Sequence, residues 1–117
     1  MRLLFVKLDK DLKDNIGFKI KTAEVKNITE KMIMLETPIN YSSRIYKSDL
    51  GIKFVGGYYS NLLGAQFMAL YEDNDEVEMI INEAKETLVD FIKEKANKRI
   101  RDLEELVIKI DEILNEE

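Results

Sequence analysis

From Asn74 to Glu117 the chain contains neither glycine nor proline, and its apolar residues recur at helical spacing. An unbroken helix of that length runs ~65 Å at ~1.5 Å per residue, whereas a compact domain of this chain's size has a radius of gyration of only ~13 Å. One subunit cannot cover such a helix. Either the segment folds back on itself as two consecutive helices, or another chain packs along it.

The segment opens with Asp75 and, three residues on, Glu78, the spacing of a capping box, and acidic residues fill the first turn where the helix dipole favours them. Its apolar stripe starts as Val77, Ile81, Ala84, Leu88 and Phe91, with the alternating four and three steps of a coiled-coil seam. Lys95 and Lys98 then take the next two places. The stripe resumes one residue over, as Ile92, Ala96, Ile100, Leu103, Val107, Ile110 and Leu114. Such a step is a stutter, and it predicts a bend or break near Asn97.

Ahead of this segment the chain reads as β-structure over 1–73. Met1 to Leu8 is an apolar run of the kind a buried strand shows, and Asp9 to Asn15 is a polar loop. Gly17 to Lys26 alternates, with Phe18, Ile20 and Thr22 on one face and Lys19 and Lys21 on the other. A turn at Asn27 to Glu30 leads to Lys31 to Thr37, which pairs with it as a hairpin and ends at Pro38, the one proline. Tyr41 to Ser48 and Ile52 to Val55, joined by Asp49-Leu50-Gly51, form a second expected hairpin. Ala65 to Tyr71 is a last strand or a short helix. The fold expected is α+β: an N-terminal antiparallel sheet of four to five strands, then one long or two consecutive C-terminal helices over 74–117, oligomeric.

Composition narrows the function. There is no cysteine and no histidine in the 117 residues, which removes disulfides, thiolate and imidazole metal sites, and the Ser-His and Cys-His dyads. No catalytic set and no cofactor site is expected. No stretch approaches the ~20 apolar residues of a membrane span, and Met1 to Leu8 is short for a signal peptide, so the expected location is the cytoplasm. Residues 1–60 carry 11 Lys or Arg against 7 Asp or Glu, while residues 61–117 carry 7 against 16. The balances of +4 and -9 sum to the net -5 and argue against duplex nucleic acid as a partner.

Three groups of residues carry candidate chemistry. Lys93, Lys95, Lys98, Arg99 and Arg101 form a basic cluster inside an acidic helical region, and the planar Arg fork matches phosphate or carboxylate. The same residues also fit a solvated face, with Glu94 and Lys98 at pairing distance along the helix. Arg44-Ile45-Tyr46-Lys47 and Gly56-Gly57-Tyr58-Tyr59-Ser60-Asn61 offer aromatic faces and glycine amides, though turn residues and core tyrosines explain them equally. Glu72, Asp73, Asp75, Glu76 and Glu78 lack the order of a calcium loop and read as a solvated helix start. Met32, Met34, Met68 and Met79 read as core filler.

A β-rich front, a long helical tail and a Lys/Ile/Glu-rich composition without a catalytic set give the chain the look of a phage or prophage accessory protein. In layout it resembles the Thoeris anti-defence sponges, the first type described. That resemblance implies a dimer or larger homo-oligomer that sequesters a cyclic ADP-ribose signal in the host cytoplasm. The family's pocket lies between subunits and uses an aromatic ring, an Asn and Arg side chains. The resemblance then implies Phe91 or Tyr71, Asn82 and Arg99 here, with Arg101 or Lys98 assisting at the phosphate and Asn97 as an alternative to Asn82 at the polar edges. Asn82 and Arg99 are ~25 Å apart along one helix, so they share a ligand only if two antiparallel helices cross near Phe91.

The resulting expectation is a non-enzymatic binding protein that captures a nucleotide-derived immune signal at a subunit interface. Two rivals use the same features differently. A protein-protein inhibitor would dock the acidic helical surface on a basic partner, and a structural or scaffold protein needs only the seam.

Overall fold

The computed structural model describes residues 1–54, 62–73 and 76–116. Among these residues six strands, β1 (Arg2–Lys10), β2 (Ile16–Ile28), β3 (Met32–Ile39), β4 (Ser42–Tyr46), β5 (Gly51–Phe54) and β6 (Ala65–Tyr71), precede one long helix, α1 (Val77–Asn115). All pairings are antiparallel, and the strands form one curled sheet in the order β4-β3-β2-β1-β6-β5. The fold is α+β as expected, with more strands than the four to five anticipated. Ala65 to Tyr71 is a strand.

β1 owes its central place to its continuous apolar run. Leu3, Leu4, Phe5 and Val6 are each at most 1% exposed, because the strand is covered on both faces. Leu3 and Phe5 point into a cluster with Ala23, Ile33, Leu35, Ile39, Ile45 and Met68. These residues come from five different strands, and only a curled sheet brings them together. Leu4 and Val6 point the other way, into a cluster with Phe54, Ala65, Tyr71, Ala84 and Leu88 that lies under α1.

β2 joins the two parts of the sheet. Arg2↔Glu24 through Lys10↔Ile16 pair it with β1, while Val25, Asn27 and Ile28 pair it with β3 after a bulge between Val25 and Asn27. The bulge bends the strand and increases its twist, which lets the sheet curl. Its one buried residue is Ala23, on the face opposite Phe18 and Ile20. Those two lie on the helix side at its margin and stay 40% and 37% exposed. Lys85 Nζ sits 5.1 Å from the Phe18 ring centroid, a cation-π contact between β2 and α1.

Three local expectations change. Pro38 lies inside β3 instead of ending it. The pairing of β3 with β4 skips from Met34 to Ile39 and that with β2 stops at Leu35, so no ladder bond is asked of the proline. The expected hairpin of Tyr41–Ser48 with Ile52–Val55 does not form: β4 and β5 occupy opposite edges of the sheet. The short 3₁₀ turn at Lys47–Asp49 leads the chain away to the other edge, and Val55 lies outside the described residues. β4 pairs with β3, through a two-residue turn whose Asn40 and Tyr41 both have positive φ, +51° and +71°, as a type I′ hairpin needs. Among the methionines expected in the core, Met68 is 4% exposed but Met79 is 56% exposed, facing outward from α1.

α1 is a single unbroken helix of 39 residues. Its N-cap is Glu76; Asp75, expected to cap it, lies outside the described residues, as do Gly56 to Asn61. Val77, Ile80, Ile81, Ala84, Leu88, Phe91 and Ile92 pack on the sheet. Beyond Arg99 every described residue of the helix is exposed. The molecule is accordingly 66 Å long, with a Cα radius of gyration of 18.7 Å.

Candidate functional site

The step in the apolar stripe marks the point where α1 leaves the sheet. Helical residues advance by ~100° each, so Lys95 and Lys98 continue the direction set by Val77, Ala84, Leu88 and Phe91. The apolar cluster between α1 and the sheet reaches only as far as Ile92 among the described residues. The stripe that resumes from Ile100 onward is turned by roughly 100° around the axis. The helix therefore keeps its apolar character but points it elsewhere.

Where the sheet-facing side emerges, Lys95, Lys98, Arg99 and Asp102 of α1 and Leu62 of a short 3₁₀ turn (Leu62–Gly64) line a groove of about 340 Å³. One turn back along α1 the Phe91 ring lies 5.4 Å from that of Phe54, and Lys95 Nζ sits 5.3 Å from the Phe91 centroid. Lys95 and Arg99 are partly buried while Lys98 and Asp102 are exposed. Asp102 is four residues from Lys98 and three from Arg99, close enough to offset part of their charge. The arrangement suits an anion of modest size with an apolar part, since Arg and Lys supply charged donors and Leu62 supplies carbon.

The other expected contacts fall elsewhere. Asn82 lines a separate groove with Glu76, Glu78, Glu83 and Glu86, an acidic setting that repels phosphate. Tyr71 is 6% exposed in the core beneath the start of α1. Phe91 is half-buried against the sheet, so the helix face at which a crossing near Phe91 would occur is already covered. Asn97 and Arg101 are exposed on other sides of α1. Of the expected residues, Lys98 and Arg99 come together in one groove. Leu62 and Asp102 are the additions; Asp102 was legible as the i+4 neighbour of Lys98, while nothing in the sequence places Leu62.

Among the described residues no group of three or more Asp, Glu, His or Cys is placed to hold a metal ion. No described helix is long and apolar enough to cross a membrane. The fold and groove thus define a class: an α+β protein with a curled antiparallel sheet, a projecting helix and a basic groove at that helix's root. No family model, curated protein or solved structure matches the chain.

Proposed function

We propose that this is a binding protein that assembles through the free half of α1 and captures an anionic ligand of nucleotide size, without breaking a bond, in the groove at the helix root. The ligand class is the one the layout resemblance implies, a cyclic ADP-ribose type signal, and capture would suppress the immune pathway that uses it. One observation carries the reading. Lys95, Lys98 and Arg99 converge on a groove beside Phe91, at the border of an apolar stripe that a second subunit would cover. Arg99 and Lys98 would hold phosphate, and the Phe91–Leu62 side would take a base or ribose face.

A second reading rests on the stripe alone. Ile100, Leu103, Leu106, Val107, Ile110, Ile113 and Leu114 are each at least half exposed, and a scaffold or protein-protein inhibitor would use them without any small ligand. Mass spectrometry of small molecules retained by the purified protein after exposure to a defence-activated lysate separates the readings. Capture predicts a retained nucleotide, excess absorbance at 260 nm above that of 5 Tyr and no Trp, and a higher melting temperature with that nucleotide added. If no member of a nucleotide library that includes cyclic ADP-ribose isomers is retained or raises the melting temperature, the capture reading is withdrawn in favour of the second.

A further inference from the structure

We infer that the free half of α1 pairs with the same segment of a second copy, antiparallel, with Ile100 set against Ile110 of the second copy. The inference rests on the proposed assembly and specifies its direction and register.

Lettering the helix as heptads with Ile100 at a places Ala96, Leu103 and Ile110 at d and Val107 and Leu114 at a. Ile100, Leu103, Glu104, Val107 and Ile108 surround a surface hollow. The first four are spaced i, i+3, i+4 and i+7, the four corners of a hole that accepts one knob from a facing helix, and Ile108 extends its apolar rim. The flanks of this seam are unlike. The g side carries Arg99, Leu106 and Ile113, whereas the e side carries Asn97, Glu104 and Asp111.

That asymmetry decides direction. In a parallel pair each g residue faces an e residue of the other chain, so Leu106 would be held against Asp111 on both sides of the seam. In an antiparallel pair g faces g and e faces e, so Leu106 meets its own copy and Ile113 lies along the stem of Arg99. The cost of the antiparallel choice is Glu104 facing Glu104 at the solvent edge, where water and salt screen it. The parallel choice gains an Arg99–Glu104 pair, of the kind worth little at a surface, and leaves Leu106 against a carboxylate.

Charge along the helix agrees. From Lys93 to Arg101 there are five cations and one carboxylate, and from Asp102 to Glu116 six carboxylates and one lysine, so only antiparallel pairing sets the basic stretch beside the acidic one. Matching all six seam residues aligns Ala96 with Leu114, Ile100 with Ile110, and Leu103 with Val107. The helix enters this pairing already formed, because its first half is anchored on the sheet.

The groove opens on the c and f positions, taken by Lys95, Asp102 and Lys98, with Arg99 alone at g, so it stays open when the seam is paired. The two grooves of the pair lie ~20 Å apart along the axis, one on each side of the dyad.

The chain has no cysteine, which makes the test direct. Ile100→Cys and Ile110→Cys are made in the full chain, at exposed positions, and light scattering first establishes that each remains a dimer. Oxidation of the mixed variants should give a disulfide-linked heterodimer, and Ile100→Cys alone should give none, because two copies of residue 100 would be ~15 Å apart. Glu104→Gln should tighten the dimer several-fold, since it removes the like-charge contact. Self-linking of Ile100→Cys, or a weakened Glu104→Gln dimer, overturns the antiparallel register while leaving the assembly in place. A monomeric mass for the unmodified chain at micromolar concentration overturns the assembly itself.

Discussion

The two halves of α1 have similar apolar content and opposite surroundings. Over Val77 to Ile92 the stripe is spent on the sheet: Leu88 is fully buried, Ala84 is 2% exposed, and Phe91 packs on Phe54. Over Ile100 to Leu114 comparable side chains are exposed by half or more. Full burial of a leucine or isoleucine is worth about 1.5–3 kcal/mol, so the second half withholds several kcal/mol that its own subunit cannot collect. A free helix of that length is marginal in water, yet this one continues a helix already nucleated by packing and is rich in Leu, Glu, Lys and Arg, which favour helix. The contrast shows that α1 is helical to its end for local reasons, while its apolar stripe there is left exposed.

Substitutions in the two halves should therefore fail in different ways. Leu88→Ala removes a fully buried side chain beneath the helix and should cost about 3 kcal/mol of folding stability, read by urea denaturation. Leu103→Asp, at a position 56% exposed, should leave the folding of the isolated subunit within about 0.5 kcal/mol and abolish association in sedimentation or light scattering. Were Leu103→Asp to unfold the subunit as Leu88→Ala does, the tail would be part of the subunit's core and the comparison would collapse.

Between the halves lies the groove, and its cations can be removed without touching either stripe. Arg99→Ala should weaken capture of the retained nucleotide by roughly ten- to a hundredfold, the effect of losing one or two charge-assisted hydrogen bonds, with the oligomer's mass unchanged. Asn82→Ala, in the acidic groove near the helix start, should leave affinity unaltered. Isothermal titration with the nucleotide checks both. Equal losses at the two positions would mean that the ligand spans far more of α1 than the groove does.

The helix and the step in its register were legible in the sequence because both are written in one helix's periodicity. What each does was not: the first half reads as a seam between chains but packs on the sheet, and the step, which predicts a bend or break near Asn97, leaves α1 unbroken. β1 was legible too, since four consecutive apolar residues from Leu3 to Val6 fit a strand covered on both faces. The β4–β5 hairpin misled because neighbours in sequence usually pair, and here the connection crosses to the far edge of a curled sheet. The turn at Asn40-Tyr41 carried no Gly to announce it. Leu62 reaches the groove through tertiary folding alone, which no local pattern encodes.

That turn gives a smaller effect. Tyr41 is wholly exposed, so it contributes no packing, yet it occupies a left-handed conformation that costs a side-chain-bearing residue roughly 1–2 kcal/mol. Tyr41→Gly removes that strain and adds back part of it as chain entropy, for a net gain of about 0.5 kcal/mol and a slightly higher melting temperature. Exposure here is local and self-contained, unlike the exposure of Leu103.

The β1–β2 hairpin tip sharpens the same distinction with the smallest expected effect. It is as exposed as the helix tail, but its polar groups are satisfied within it: Asp11 Oδ1 accepts from the Lys13 and Asn15 backbone N–H groups at 2.8 and 3.0 Å. The bond from Asn15 and then that from Lys13 hold the Asp11 carboxyl below its ordinary value of 3.8. Because the folded pKa is lowered, this contribution is complete above the unfolded value and is lost as pH falls through the lower, folded one. Acid titration followed by NMR should show the Lys13 and Asn15 amides losing hydrogen-exchange protection at a midpoint below 3.8, with the amides of β1 and β6 unmoved. Asp11→Asn should abolish that titration step. A midpoint at or above the ordinary value would mean the tip is not held by these bonds, and its exposure would then be of the same unsatisfied kind as the tail's.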